Sequence, residues 1–138
     1  MSNTQYVFMR RADVPTRALL QQTIDSIGFD LLLYPEFDLL VSNGFCPCTL
    51  EGVEDVGFEL HREPIESLRE DQSLRDMAQD RDFCLTMTWG GRMQDCTVAL
   101  IVCAALAKLC GATVSYEGEQ PQGFEALVDE ARSALSWD

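Results

Sequence analysis

The segment Gly44-Phe45-Cys46-Pro47-Cys48-Thr49 sets two thiols two residues apart. In an extended backbone both project from one face, because strand side chains alternate with period two. Together with His61, the sole histidine, and Cys84, they are the one combination in the chain from which a zinc site could be assembled. Zinc needs three or four ligands, and its strong sequence signature pairs two Cys-x2-Cys or Cys/His modules. One Cys-x-Cys and one histidine fall short of that, so no metal and no cofactor is expected. The two thiols read as small buried hydrophobes.

A catalytic thiol needs a base and an electropositive setting that favours the thiolate. His61 is the only imidazole, and it stands among Glu59, Arg62 and Glu63, where the acids would raise a thiol's pKa. Cys96, Cys103 and Cys110 recur every seven residues, which lines them along one helical stripe. At about 1.5 Å rise per residue they stand roughly 10 Å apart, too far to share one ion, so they read as core packing. No serine sits in a nucleophile elbow, and no Gly-x-Gly-x-x-Gly or Walker pattern is present. Trp89-Gly90-Gly91-Arg92 has two readings, a ligand-touching loop or the plain turn between a strand and a helix. No catalytic residue is assigned, and the chain is not expected to be an enzyme.

The elements that position these residues belong to a chain of 138 residues, 46% hydrophobic and 24% charged, enough for one globular domain spanning 1–138 with a normal core. There is no repeat and no low-complexity run. The N-terminal stretch lacks a signal-peptide pattern, and the longest apolar run, 98–107, is half of what a bilayer requires. A cytoplasmic protein with six reduced cysteines is expected. Net charge is extreme, −13 with a sequence pI near 4.3, which argues against nucleic acid and anionic membranes as partners and for a basic one. The charge is uneven. Residues 50–82 carry eleven acids against four arginines, a net of −7, whereas 83–116 carry only Asp95, Arg92 and Lys108.

Hydrophobic spacing predicts a strand at 5–10 and then a helix capped by Asp13 with Pro15 in its first turn. Val14, Ala18, Leu20, Ile24 and Ile27 mark its apolar face, and Gly28 closes it at positive φ. Strands follow at 29–34 and at 45–50, the latter confined by Pro47 to an edge or a bulge. A turn at 55–57 leads into a short strand at 58–61. Two short helices are predicted at 64–68 and 73–79, and a half-buried strand at 82–89 with Phe83, Leu85, Met87 and Trp89 inward. A long helix at 92–110, apolar nearly all round and stopped by Gly111, must be covered on several sides. A strand at 112–116 and a helix at 123–135 complete an α/β or α+β sandwich with a mixed or antiparallel central sheet covered by helices.

The run IGFDLLLYPEFD…NGFCPC…GFEL followed by TMTWGGRMQDCTVALIVCAALAKLCGATVSY resembles small bacterial α/β proteins of the immunity type found in polymorphic-toxin loci. Gly57-Phe58-Glu59 and Trp89-Gly90 match the pattern of that type, a Gly-Phe-Glu turn and a strand ending in an aromatic-Gly pair. The Cys-rich long helix departs from its alanine-rich version. The resemblance spans about Pro15 to Tyr116 and rests on fold markers. It implies a non-catalytic protein that binds and neutralises a cognate toxin.

Charge and resemblance together lead to a cytoplasmic toxin inhibitor whose partner is a basic toxin domain. Its partner-binding surface is expected on the acidic segment through Glu51, Glu54, Asp55, Glu59, Glu63 and Glu66, with Phe58 and Trp89 as aromatic anchors. Two other readings stay open. One is an acidic secretion chaperone or adaptor that binds an effector segment, for which a homodimer would be natural; the other is a cysteine-dependent enzyme using Cys46 or Cys48.

Overall fold

A computed structural model describes residues 3–68 and 70–136. The chain runs β1 (Asn3–Met9), α1 (Arg17–Ser26), β2 (Leu31–Leu33), β3 (Gly44–Leu50), β4 (Val53–Glu63), α2 (Ile65–Leu68), α3 (Gln72–Ala78), β5 (Phe83–Trp89), α4 (Met93–Cys110), β6 (Thr113–Tyr116) and α5 (Phe124–Leu135). Six strands make one sheet in the order β2-β3-β4-β5-β1-β6, and every neighbouring pair is antiparallel. The α/β sandwich expected from the sequence is the architecture found.

Helix α4 is the centre of the molecule. Ten consecutive residues, Thr97 to Leu106, are buried between the sheet, α1 and α5. By length and composition alone α4 would cross a bilayer, but its apolar surface is taken up by this packing. A helix apolar on all sides needs such cover, since each fully buried Leu or Ile contributes about 1.5–3 kcal/mol relative to exposure. Gly111 (φ +63°) and Gly28 (φ +91°) take the left-handed conformation that closes α4 and α1, as their placement predicts.

Four local expectations change. Helix α1 starts at Arg17, not near Asp13: Thr16 caps it, its hydroxyl accepting from the Leu19 N–H at 3.2 Å. Asp13 instead ends a 3-10 turn. The cause is Pro15, which forces the preceding Val14 into extended backbone (ψ 121°) and so bars it from a helix. Strand β3 is interior, flanked by β2 and β4. Pro47 is tolerated because β2 is short, with Leu33↔Cys48 its last pair, so no neighbour needs the N–H that proline lacks.

The turn expected at 55–57 lies at Glu51-Gly52, where both residues have positive φ, as a two-residue type I′ hairpin requires. Strand β4 then runs unbroken, with Glu54 and Asp55 together opposing Thr49 in a bulge. Strand β5 is buried on both faces, because Phe8 and Cys84 on its far side pack with Leu68, Leu74 and Ala78 from α2 and α3.

Both sheet edges are closed by side chains or loop. Along β2, Arg17 donates to the Leu33 and Tyr34 carbonyls, and Gln21 both donates to Leu31 O and accepts from Leu33 N. Along β6, residues 117–122 fold back so that Gln122 N–H donates to Val114 O at 2.9 Å. Closure of this kind hides the unpaired backbone groups that would otherwise recruit another strand.

Candidate functional site

The sheet itself answers whether the thiols converge. Cys46 and Cys48 face α4 and are buried in the main core, whereas His61 and Cys84 lie on the opposite face, since β4 and β5 direct Leu60 and Leu85 to the α4 side. A β-sheet stands between the two sets. Among the described residues, no three of the His, Cys, Asp and Glu side chains approach closely enough to hold a metal ion. Burial raises every thiol: Cys48 and Cys84 are pushed up to about 12, and Cys103, fully enclosed and 3.8 Å from the Met87 sulfur, goes up further. Cys46, Cys96 and Cys110 move up as well, first through burial.

Helices α2 and α3 cover only the β1–β5 half of the outer sheet face, leaving the β2-β3-β4 half open. Leu32 and Phe45 stand out from that half at 55% and 49% exposure. Leu32, Pro47 and Thr49 line a shallow groove of about 300 Å³ together with Arg17, Glu54 and Asp55, and Phe45 stands outside it on the same face. Glu59 lies directly across from Phe45 and shares its face. Glu63 continues the row on β4, half-buried beside Cys84.

The structure therefore brings four of the expected acids, Glu54, Asp55, Glu59 and Glu63, onto one surface. Glu51 sits at the tip of the hairpin, and Glu66 lies on α2 in a separate depression with Arg75 and Arg81. The aromatic anchors need correction. Phe58 is 1% exposed and faces α4, because a residue next to Glu59 on a strand must point the other way. Trp89, at 7%, is likewise no surface anchor. Among the described residues the exposed aromatic is Phe45, which belongs to the opening motif; its outward aim follows from the inward aim of Cys46.

Trp89 does border a second feature, a cleft of about 500 Å³ on the α4 side of the sheet, where the ends of β1, β5 and β6 meet the first turns of α4. Its walls are Trp89 and Tyr116, with ring centres 6.3 Å apart and planes inclined by 40°. Tyr116 donates to Asn3 Oδ1 at 2.6 Å, and Asn3 Nδ2 donates to the Gly90 carbonyl at 3.0 Å, so strand end, loop and ring are held together. At the floor lies Gln5, 1% exposed, whose Oε1 has no hydrogen-bond partner. The Oε1 of Gln122 is also buried and unpartnered, while its Nε2 donates to Glu130. Glu119 and Glu130 add carboxylates, and Arg92 stands at the rim, 3.7 Å from Asp95. Of the two readings of Trp89-Gly90-Gly91-Arg92, the segment is the turn between β5 and α4, and it also borders this cleft.

The polar floor was visible in one sequence signal. Gln5 occupies an inward position in register with Val7 and Met9, a polar residue on an apolar face. No protein family, curated protein or solved structure matches this chain.

Proposed function

We propose that this protein is a non-catalytic, cytoplasmic inhibitor of the immunity type that binds and neutralises a basic protein partner, and that it does so with the open half of its sheet. The observation that carries the reading is the combination of exposed Phe45 and Leu32 with Glu54, Asp55 and Glu59 on one uncovered face. Apolar side chains at the centre of a patch supply the buried contacts that slow dissociation, and surrounding charge speeds and orients encounter. The carboxylates are free for this role. Among the described residues only two ion pairs form, Arg10 with Asp80 and Arg92 with Asp95, against a net charge of −13. Arg62, nearest the patch in sequence, is occupied by the carbonyls of Leu39, Val41 and Ser42, and Arg17, which lines the groove, by those of Leu33 and Tyr34.

A non-catalytic role is supported by the thiols: all are raised by burial, the opposite of what activates a nucleophile. The test is to sequence the genes that flank its own and to co-express the protein with any toxin-like reading frame found there. Protection of the cell is expected, and it should be lost in Phe45→Ala and in the double reversal Glu54→Lys/Glu59→Lys. Full protection by both variants would refute this surface. Binding only to an extended effector segment, with no effect on a folded domain, would transfer the protein to the chaperone class.

A further inference from the structure

We propose that the cleft between Trp89, Tyr116 and the start of α4 is a binding site for a guanidinium group. The inference is independent of the partner-binding reading, because this cleft opens on the α4 side of the sheet and the proposed docking patch lies on the other side.

Two buried side-chain acceptors beside the cleft lack donors. Gln5 is buried at its floor with Oε1 unpartnered, and Gln122 Oε1 is in the same condition. A buried amide oxygen without a donor costs about 1–3 kcal/mol, and both glutamines line one cavity, so a ligand rich in N–H groups that reaches them is favoured. Glu119 and Glu130 make that ligand a cation. Among the described residues, the only cationic side chain lining the cleft, Arg92, is more than half exposed at the rim and is drawn to Asp95. The α4 N-terminus does not reverse the preference, because Asp95 stands in its first turn and also accepts the Gly57 N–H at 3.0 Å.

Size and wall chemistry then select the kind of cation. A volume of about 500 Å³ is far larger than an ion needs, and Trp89, Tyr116, Met93 and Leu100 line it with apolar and aromatic surface. Aromatic faces bind a planar, weakly hydrated guanidinium by stacking and cation–π attraction better than a compact ammonium. Its five N–H groups suit a cleft that offers carboxylates and amide side chains. The group can arrive on a free small molecule or on an arginine side chain of a polypeptide.

Titration of the purified full chain with agmatine, capped arginine (N-acetyl-arginine methylamide) and the capped citrulline counterpart, followed by NMR shifts of the Gln5 side-chain amide and the Trp89 indole, tests this. Saturable binding of at least one guanidinium compound is expected, with citrulline weaker by roughly tenfold or more, the usual size of a lost charge-assisted hydrogen bond. Capped arginine binding as well as agmatine would identify a polypeptide side chain as the source; agmatine alone would identify a small molecule. Gln5→Leu should weaken binding by about tenfold while raising the melting temperature, because it removes a buried unpartnered amide. Glu130→Gln should weaken it without unfolding the protein, and Phe45→Ala should leave it unchanged. Equal binding of citrulline and arginine, no saturation by any guanidinium compound, or unaltered affinity in Gln5→Leu would each overturn the proposal.

Discussion

Gly57 leaves no room for a side chain. A Cβ placed on it would lie 2.0 Å from the Cys46 carbonyl oxygen, which belongs to rigid backbone in the adjacent strand. Gly57→Ala should therefore cost about 1–3 kcal/mol, the range for overpacking, read as a shift in the urea midpoint. The thiols make a second prediction at this scale. Cys48 and Cys84 are raised from 9.0 to about 12 because folding buries them. The folded state keeps these protons at a pH where the unfolded chain has released them, so their contribution is intact below pH 9 and is lost as pH rises toward 12. Denaturation midpoints should fall progressively across that window, and thiol reagents at neutral pH should label Cys46, Cys48, Cys84 and Cys103 slowly in the native protein. Rapid modification of Cys46 or Cys48 would reopen the catalytic reading.

At the scale of elements, α4 carries the stability and the β3–β4 hairpin carries the exposed chemistry. Ile101→Ala, in the fully buried centre of α4, should cost about 2–5 kcal/mol. Thr16→Ala removes the cap of α1 and should cost about 1 kcal/mol. Phe45→Ala, by contrast, should change stability by less than about 0.5 kcal/mol, because the ring is half exposed, while abolishing partner binding. Chemical denaturation of the three variants side by side checks that order. The hairpin's geometry explains why the acidic segment is a usable surface at all. Its bulge sets Glu54 and Asp55 together opposite Thr49, so both approach the groove that Leu32 and Pro47 line.

For the whole molecule the dominant quantity is its negative field. With a net charge of −13 and few internal ion pairs, association with a basic partner should be fast at low ionic strength and slow steeply as salt is added. Stopped-flow rates for the protein and for Glu54→Lys/Glu59→Lys should converge at high salt, since screening removes the steering that the reversal disrupts. A rate independent of salt would leave the acidity with no role in recognition. Field and cleft are separable, because the cleft and the docking patch lie on opposite sides of the sheet and are altered by different substitutions.

Hydrophobic spacing with cap and turn residues located each strand and α-helix, although β4 begins at Val53 and not at 58, and it found the core position of α4 and the two glycines that end helices. These follow from rules acting within about a turn of chain, which a single sequence carries in full. The period-two rule also separates Phe58 from Glu59 and turns Phe45 outward once Cys46 points in, but the surface expected from the sequence combines Phe58 with Glu59 and so departs from that rule on β4. What only the tertiary structure decided depends on contacts between distant segments. It decided that α2 and α3 cover half of the outer sheet face and leave the other half bare, that Cys46 and His61 lie on opposite sides of the sheet, and that Gln5, Trp89, Tyr116, Gln122 and Glu130 meet around one cleft. Residues 5 and 130 share no local signal, since their proximity is created by strand order and by the packing of α5 on α4.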